Sequence, residues 1–402
     1  MDGLWGNRML SIDLRGDSNS TESGCAVTFL EANPFASRLH VLESLVEGVP
    51  EDAAVAVVVP ARGPGADLDT FVASLANRRP SVSVTFVGKE TRRYRITLSL
   101  LVRLLLNCLK TLRRHDRGAL VLTAVDDYFT HLPFLALLIR VLFPRTKIII
   151  FRYRVADLTV GGLSDVRQRL KSFCLKALER FVGPETVIFD ERVQLIDRHH
   201  VIPDPWSGPF GTLTRAEARQ LLGWHDEEDV VLLVGRQDER KGFDVAVGAL
   251  ASLNTQRPNT RVVLIGGVAT SMQGGLTELA RSYGKRLSHI VDYLSDEDIS
   301  VYFTAASCVL LPYNLAFTST SGVLVRAAAS STPVVASDHG LVGWRTEMYR
   351  LGRTFSYPRQ VDLVRAVVEV LDHPFDPSGA RAFAQSSTKQ AVALAFRSVL
   401  NA

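Results

Sequence analysis

Two cations, Arg236 and Lys241, lie in VVLLVGRQDERKG (230–242), where β-formers from Val230 to Val234 stop at Gly235 and a helical pattern starts after Gly242. A loop at the carboxyl end of a buried strand is where open α/β sheets place their ligand crevices, and two cations there suit an anion. An ordinary solvated βα loop would carry the same letters. In the first half, Asp126, Asp127, Tyr128, His131 and Arg154 gather near strand ends, again the ligand edge if those strands are parallel. Each alone reads equally as a cap or loop residue.

Strands and helices must alternate to place these groups. The first half offers a strand in CAVTFLEANPF, a helix over about 37–46, strands at 53–61 and in VSVTFVG, a strand at 119–125, another at 147–151, a helix over about 163–181 and a strand at 186–190. Residues 11–24 read as a loose lead-in. DPWSGPFG (204–211) interrupts all periodicity and reads as a linker. The alternation then resumes through TRVVLIGG (260–267), SHIVDYL (288–294), SCVLLPY (307–313) and TPVVAS (332–337), with DHGLVGW a loop, FSYP before a helix over 361–371, and one last helix over about 380–400. Such alternation predicts parallel sheets in an α/β fold.

With 402 residues and 47% hydrophobic content, two cores are expected. The domains are placed at 1–203 and 204–385, with 386–402 a terminal helix that could return to the first. Cys25, Cys108, Cys174 and Cys308 lie far apart with no ligand spacing, so neither a disulfide scaffold nor a metal site is expected. The cysteine pattern leads to the expectation of a reducing compartment, and with no signal peptide or membrane-spanning run apparent a cytoplasmic setting, peripheral at most to the inner face of a membrane, is expected.

The net charge of +4 is uneven. Residues 89–180 carry 19 Lys/Arg against 7 Asp/Glu, a net of +12 there and −8 elsewhere. Within that stretch Leu101, Leu104, Leu105, Cys108, Leu109 and Leu112 share one helical face, while Arg103, Asn107, Lys110 and Arg114 recur on another. The helix either packs on a sheet with a solvated basic face or meets an anionic membrane surface from the inner side. Nucleic acid is not expected, because no recognition motif accompanies the charge.

The series VGRQDERKG (234–242), VVLIGG (262–267), YFTAASCVLLPY (302–313) and SGVLVRAAASSTPVVAS (321–337) resembles the retaining glycosyltransferases of family 4. The resemblance covers about 201–371 and implies a GT-B fold, two Rossmann-like domains with parallel sheets facing across a cleft that closes on the donor. It implies a hexosyltransferase that uses a nucleotide-diphosphate sugar of UDP or GDP type, with no cofactor and no metal. Arg236 and Lys241 would hold the diphosphate, Gly235, Gly266 and Tyr293 would lie on the donor, and the backbone at Ser321, Gly322 and Val323 would hold the same phosphates from a helix N-terminus. Ser321 reads equally as an N-cap.

One departure stands out. The family's two glutamates, eight residues apart, fall on Thr318 and Arg326. Arg offers donors only, so a ribose diol cannot be held as a carboxylate would hold it. Arg326 in the early turns of a helix calls for a nearby anion, either a phosphate or something else. The acceptor, a carbohydrate, lipid-linked or natural-product hydroxyl, is expected beside Asp126, Asp127 and His131, with His131 a candidate catalytic group. The alternative is a non-catalytic relative that binds a nucleotide-sugar or glycan.

Overall fold

The computed structural model describes residues 11–13, 25–33, 36–61, 68–88, 96–113, 117–123, 125–153, 166–193, 199–206, 208, 210–292 and 294–402. Two compact units emerge, Met1–Pro205 with Lys389–Ala402, and Trp206–Thr388.

The first unit contains β1 (Ser11–Asp13), β2 (Cys25–Glu31), α1 (Ala36–Gly48), β3 (Ala54–Pro60), α2 (Leu68–Arg78), β4 (Val82–Val87) and α3 (Leu98–Leu112). It continues with β5 (Arg117–Thr123), α4 (Leu132–Leu142), β6 (Lys147–Arg152), α5 (Val166–Val182), β7 (Glu185–Ile188) and β8 (His199–Val201). Its eight-stranded sheet runs β1-β4-β3-β2-β5-β6-β7-β8, parallel except for β1. Strands such as AVAVVVP are buried on both faces, as a sheet covered by two helical layers requires. Neighbours along a strand point opposite ways, so Phe29 joins the layer with Leu42, Phe71 and Phe396, while Leu30 joins the layer with Leu104, Leu135 and Leu178.

The second unit contains α6 (Arg215–Leu222), β9 (Asp229–Val234), α7 (Phe243–Gln256), β10 (Thr260–Ile265), α8 (Gln273–Tyr283), β11 (Leu287–Ile290), α9 (Asp296–Ala305) and β12 (Cys308–Leu311). Then follow α10 (Gly322–Ala329), β13 (Val334–Ser337), α11 (Gly340–Met348), β14 (Gly352–Phe355), α12 (Gln360–Asp372) and α13 (Ser378–Ser386). Its six strands run β11-β10-β9-β12-β13-β14, all parallel. In both sheets the strand order reverses once, between β2 and β5 and between β9 and β12, and ligand crevices form at such reversals.

Four sequence readings are corrected. The expected loose lead-in contains β1, which pairs antiparallel with β4 through Ile12 and Val84; three residues are too few to show a period. Residues 14–24 lie outside the described residues. DHGLVGW is not a loop, because α11 buries Leu341, Val342, Arg345 and Thr346 at helical spacing. Its Gly343 hides the signal: glycine disfavours helix, yet here a Cβ would stand 2.4 Å from the Ser337 carbonyl oxygen. β14, in LGRTFSYP, pairs with β13, whereas the letters suggest only a lead into a helix. The last helix is two, α13 and α14 (Lys389–Asn401), because the Ser387 carbonyl accepts from Trp206 N at 2.6 Å instead of continuing a helical ladder.

α14 packs on α1 and places Val392, Phe396 and Val399 in the first unit's core. Phe396 lies 5.9 Å from the Phe29 ring and 5.8 Å from Phe151. The apolar face of α3 is likewise buried in that unit, so it is not available to a membrane, and Arg103 and Lys110 face solvent. Arg114 lies outside the described residues. Cys108, Cys174 and Cys308 are free and buried.

Candidate functional site

The carboxyl edge of the second sheet is built by loops that bind one another. Gly235 N donates to Ile265 O and Gly266 N to Ile290 O, so the chain leaves β9 and β10 in step. Both glycines have positive φ, +88° and +120°, and a Cβ on Gly266 would stand 2.6 Å from the Gly235 carbonyl oxygen. Buried Gln237 ties the two loops together, donating through N to Gly267 O and through Nε2 to Gly235 O, both at 2.8 Å.

Beyond Gln237 a 3-10 turn, Glu239–Lys241, is opened by Asp238, whose Oδ1 accepts from Lys241 N at 3.0 Å. Gly242 closes it at φ +64°, where a Cβ would stand 1.7 Å from the Pro312 carbonyl oxygen, so only glycine fits. Asn314 N donates to Arg240 O and Asn314 Nδ2 to Glu239 O, locking the loop after β12 onto this turn.

The structure therefore brings Lys241 to the strand reversal. Its Nζ donates to Val234 O at 2.9 Å and lies 5.5 Å from the centre of the Tyr313 ring. Tyr313 Oη and Ser321 Oγ are 3.1 Å apart, and Ser321 caps α10, accepting weakly from Leu324 N at 3.4 Å. Gly322 is exposed, with nothing within 4 Å of where a Cβ would be, and Val323 and Thr318 are half-buried. Arg236 is exposed and has no hydrogen bond or ion pair among the described residues. An open cation, a tethered cation and a helix N-terminus thus share one sheet edge, a set that can hold an anion through charge and backbone amides. Tyr293 lies outside the described residues.

Arg326 turns elsewhere. Its Nη2 lies 2.7 Å from Asp296 Oδ1, in the first turn of α9, and its guanidinium sits 4.5 Å over the Trp206 ring. The anion that a cation early in α10 calls for is Asp296. No spacing in the sequence joins residues 296 and 326.

The first unit's carboxyl edge is also ion-paired. Asp126 is buried, with Oδ2 accepting from Tyr153 N at 2.5 Å and Oδ1 2.6 Å from Lys171 Nζ, so it braces the exit of β6 against α5. Asp127 Oδ2 meets Arg38 at 2.5 Å and Asn33 Nδ2 at 2.8 Å. His131 is half-buried, its Nδ1 2.8 Å from Thr130 Oγ1. Arg154 lies outside the described residues.

Sequence reading missed Glu31, the last residue of β2. It is fully buried; Oε1 accepts from Asn33 N at 2.6 Å, and Oε2 lies 2.7 Å from Thr123 Oγ1. Burial pushes its carboxyl up to about 7, against the opposing pull of Arg38. The geometry agrees, since Thr123 Oγ1 has one proton and the Leu30 carbonyl lies 2.8 Å away to receive it. A protonated Glu31 can donate to Thr123 and satisfy all three groups. The only sequence signal was an acid ending an apolar strand.

Among the described residues no three His, Cys, Asp or Glu side chains gather as metal ligands, and no helix is long and apolar enough to cross a membrane.

Residues 214–388 match the family model described as glycosyl transferases group 1. The chain is 31% identical over 168 residues to D-inositol 3-phosphate glycosyltransferase of Rhodococcus jostii (strain RHA1), covering 40% of this chain and 36% of that protein. It is 35% identical over 166 residues to the enzyme of the same name from Mycobacterium marinum, covering 38% and 34%. The chain thus spans little more than a third of the length of these curated relatives. Solved structures are similar over nearly the whole chain. Anabaena Alr3699/HepE in complex with UDP aligns with a TM-score of 0.62 at 16% identity, covering 94% of this chain and 96% of that one. WaaG, a glycosyltransferase involved in lipopolysaccharide biosynthesis, aligns with a TM-score of 0.59 at 16% identity, covering 93% and 98%. At such identity the likeness shows the fold, an α/β fold of the GT-B kind.

Proposed function

With residues 214–388 matching the group 1 glycosyl transferases, we propose that the protein moves a sugar from a nucleotide diphosphate to an acceptor hydroxyl, retaining anomeric configuration. The observation that supports this most is the placement of Lys241, Ser321 and Gly322 with open Arg236 on one sheet edge at the strand reversal. The bond between the anomeric carbon and the β-phosphate oxygen breaks, its electron pair stays on the diphosphate, and the acceptor oxygen bonds the carbon from the same face. A phosphate oxygen takes the acceptor's proton. Charge grows on the leaving group, so Arg236 and Lys241 stabilise the transition state more than the bound donor, the role a metal plays elsewhere.

A uridine donor is the first choice, because the Anabaena structures are complexes with UDP and with UDP-glucose. The family match lies wholly in the second unit and so leaves the acceptor open. We place the acceptor side on the first unit with Asp127 and His131; buried Asp126 holds that edge in shape. A second reading, a binding subunit without turnover, is favoured by Thr318 and Arg326, neither of which offers a carboxylate to the donor, and by the engagement of Arg326 with Asp296. Thermal-shift titration with UDP, GDP, ADP and TDP, followed by assays of UDP-sugar hydrolysis and transfer, separates the two. Binding with release of UDP from the sugar supports the transferase; tight binding with no turnover on any acceptor supports the binding subunit, and no binding removes both.

A further inference from the structure

Helices α3, α4 and α5 cover one face of the first sheet, and α4 packs beside α5. Their inward faces are satisfied by the core, yet the outward faces of α4 and α5 carry apolar stripes beside their cations. On α4, Phe134, Leu137 and Val141 are 48%, 66% and 66% exposed; on α5, Leu170, Phe173 and Phe181 are 49%, 68% and 69% exposed. Four phenylalanines are exposed among the described residues, and three of them lie on these two helices, the fourth being Phe210. At about 100° per residue, Val166, Leu170, Phe173, Ala177 and Phe181 fall within an arc of about 80° on α5, and Arg169, Lys176 and Arg180 fill the adjoining arc of about 40°. Exposed Arg140 flanks the α4 stripe, and Arg103 and Lys110 continue the charge on α3. The one carboxylate among the described residues of these helices, Glu179, is half-buried and faces Arg152 and His199 at 3.8 and 3.5 Å.

From this we infer that the outward face of α4 and α5 docks on an anionic phospholipid bilayer. Apolar side chains enter the boundary between headgroups and acyl chains while the cations beside them meet lipid phosphates, and the two contributions add. A second copy of the chain fits less well, because an isologous contact would set this cationic face against itself. A nucleic acid backbone would neutralise the cations but leave the phenylalanines in water. The inference does not depend on the transferase reading.

The 402-residue chain is sedimented with vesicles of phosphatidylcholine alone and of phosphatidylcholine with phosphatidylglycerol, at low and high salt. The wild type should pellet with the anionic vesicles and little with the neutral ones. Two variants, F173S/F181S and R140E/K176E/R180E, should each weaken partitioning on the order of tenfold or more. L221S, which removes an exposed leucine of α6, should pellet as the wild type. Thermal melts check that each variant is folded, and the charge variant tests the surface even if the serine variant is not. Wild type that stays in the supernatant overturns the inference, as do folded variants that bind unchanged, or a dimer that F173S/F181S separates without vesicle binding.

Discussion

Lys241 turns back over the strand that precedes it, its Nζ donating to the Val234 carbonyl 2.9 Å away. One ammonium proton is committed there and two are free to meet a ligand. K241A should lower transfer by roughly 10²- to 10³-fold, as loss of one preorganised transition-state donor does elsewhere. Stability should fall by only about 1 kcal/mol, the worth of one hydrogen bond. Initial rates beside urea melts test both, and unchanged turnover would remove Lys241 from the chemistry.

R326A should act on stability and not on nucleotide affinity. The ion pair with Asp296 joins groups 23% and 31% exposed and contributes about 0.2–1 kcal/mol, with about 0.5–1 kcal/mol more from the Trp206 face. Calorimetric titration with UDP should give an unchanged Kd. A tenfold loss would move Arg326 onto the phosphates.

Glu31 should make the first unit less stable as pH rises. Its carboxyl ordinarily ionises at 4.5 and here near 7, so the folded state holds a proton that the unfolded chain has released. The stabilisation is full below pH 4.5, declines between 4.5 and 7, and is gone above. Glu43, held at about 2 against the opposing effect of burial by His40 and by Lys389 at 2.8 Å, works in the other direction, losing its contribution as pH falls from 4.5 towards 2. Urea melts should show the wild type losing about 2–3 kcal/mol between pH 5 and 8, and E31Q losing under about 1 kcal/mol. Parallel losses in both proteins would refute this assignment.

G242A should cost more than G223A although the two backbones have nearly equal φ, +64° and +67°. Both variants meet the strain of the left-handed region, about 1–2 kcal/mol, but only at Gly242 does a Cβ strike the Pro312 carbonyl. The extra cost should be about 1–3 kcal/mol in denaturant melts, with loss of UDP binding as the cation-bearing turn is displaced.

The pattern of the sequence carried the fold as far as periodicity goes. Val- and Leu-rich runs such as Val230–Val234 announced themselves because both their faces are buried. α11 and β14 were missed because a close backbone approach at Gly343 and a four-residue edge strand leave no repeating letters. The loop bearing Arg236 and Lys241 was legible from its position after a strand. The back-turn of Lys241, the meeting of Arg326 with Asp296 and Trp206, and the Glu31, Arg38 and Asp127 cluster were not, because each joins groups through the folded backbone and not through spacing.

α14 has a consequence for biosynthesis. Residues 1–205 leave the ribosome well before residues 389–401, yet Val392, Phe396 and Val399 belong to their hydrophobic layer. Each is worth roughly 1.5–3 kcal/mol when buried. Until residues 389–401 are made, the early-synthesised sheet keeps Phe29 and Phe151 short of their aromatic neighbour. A nascent chain halted before that point should be sensitive to protease in its first two hundred residues.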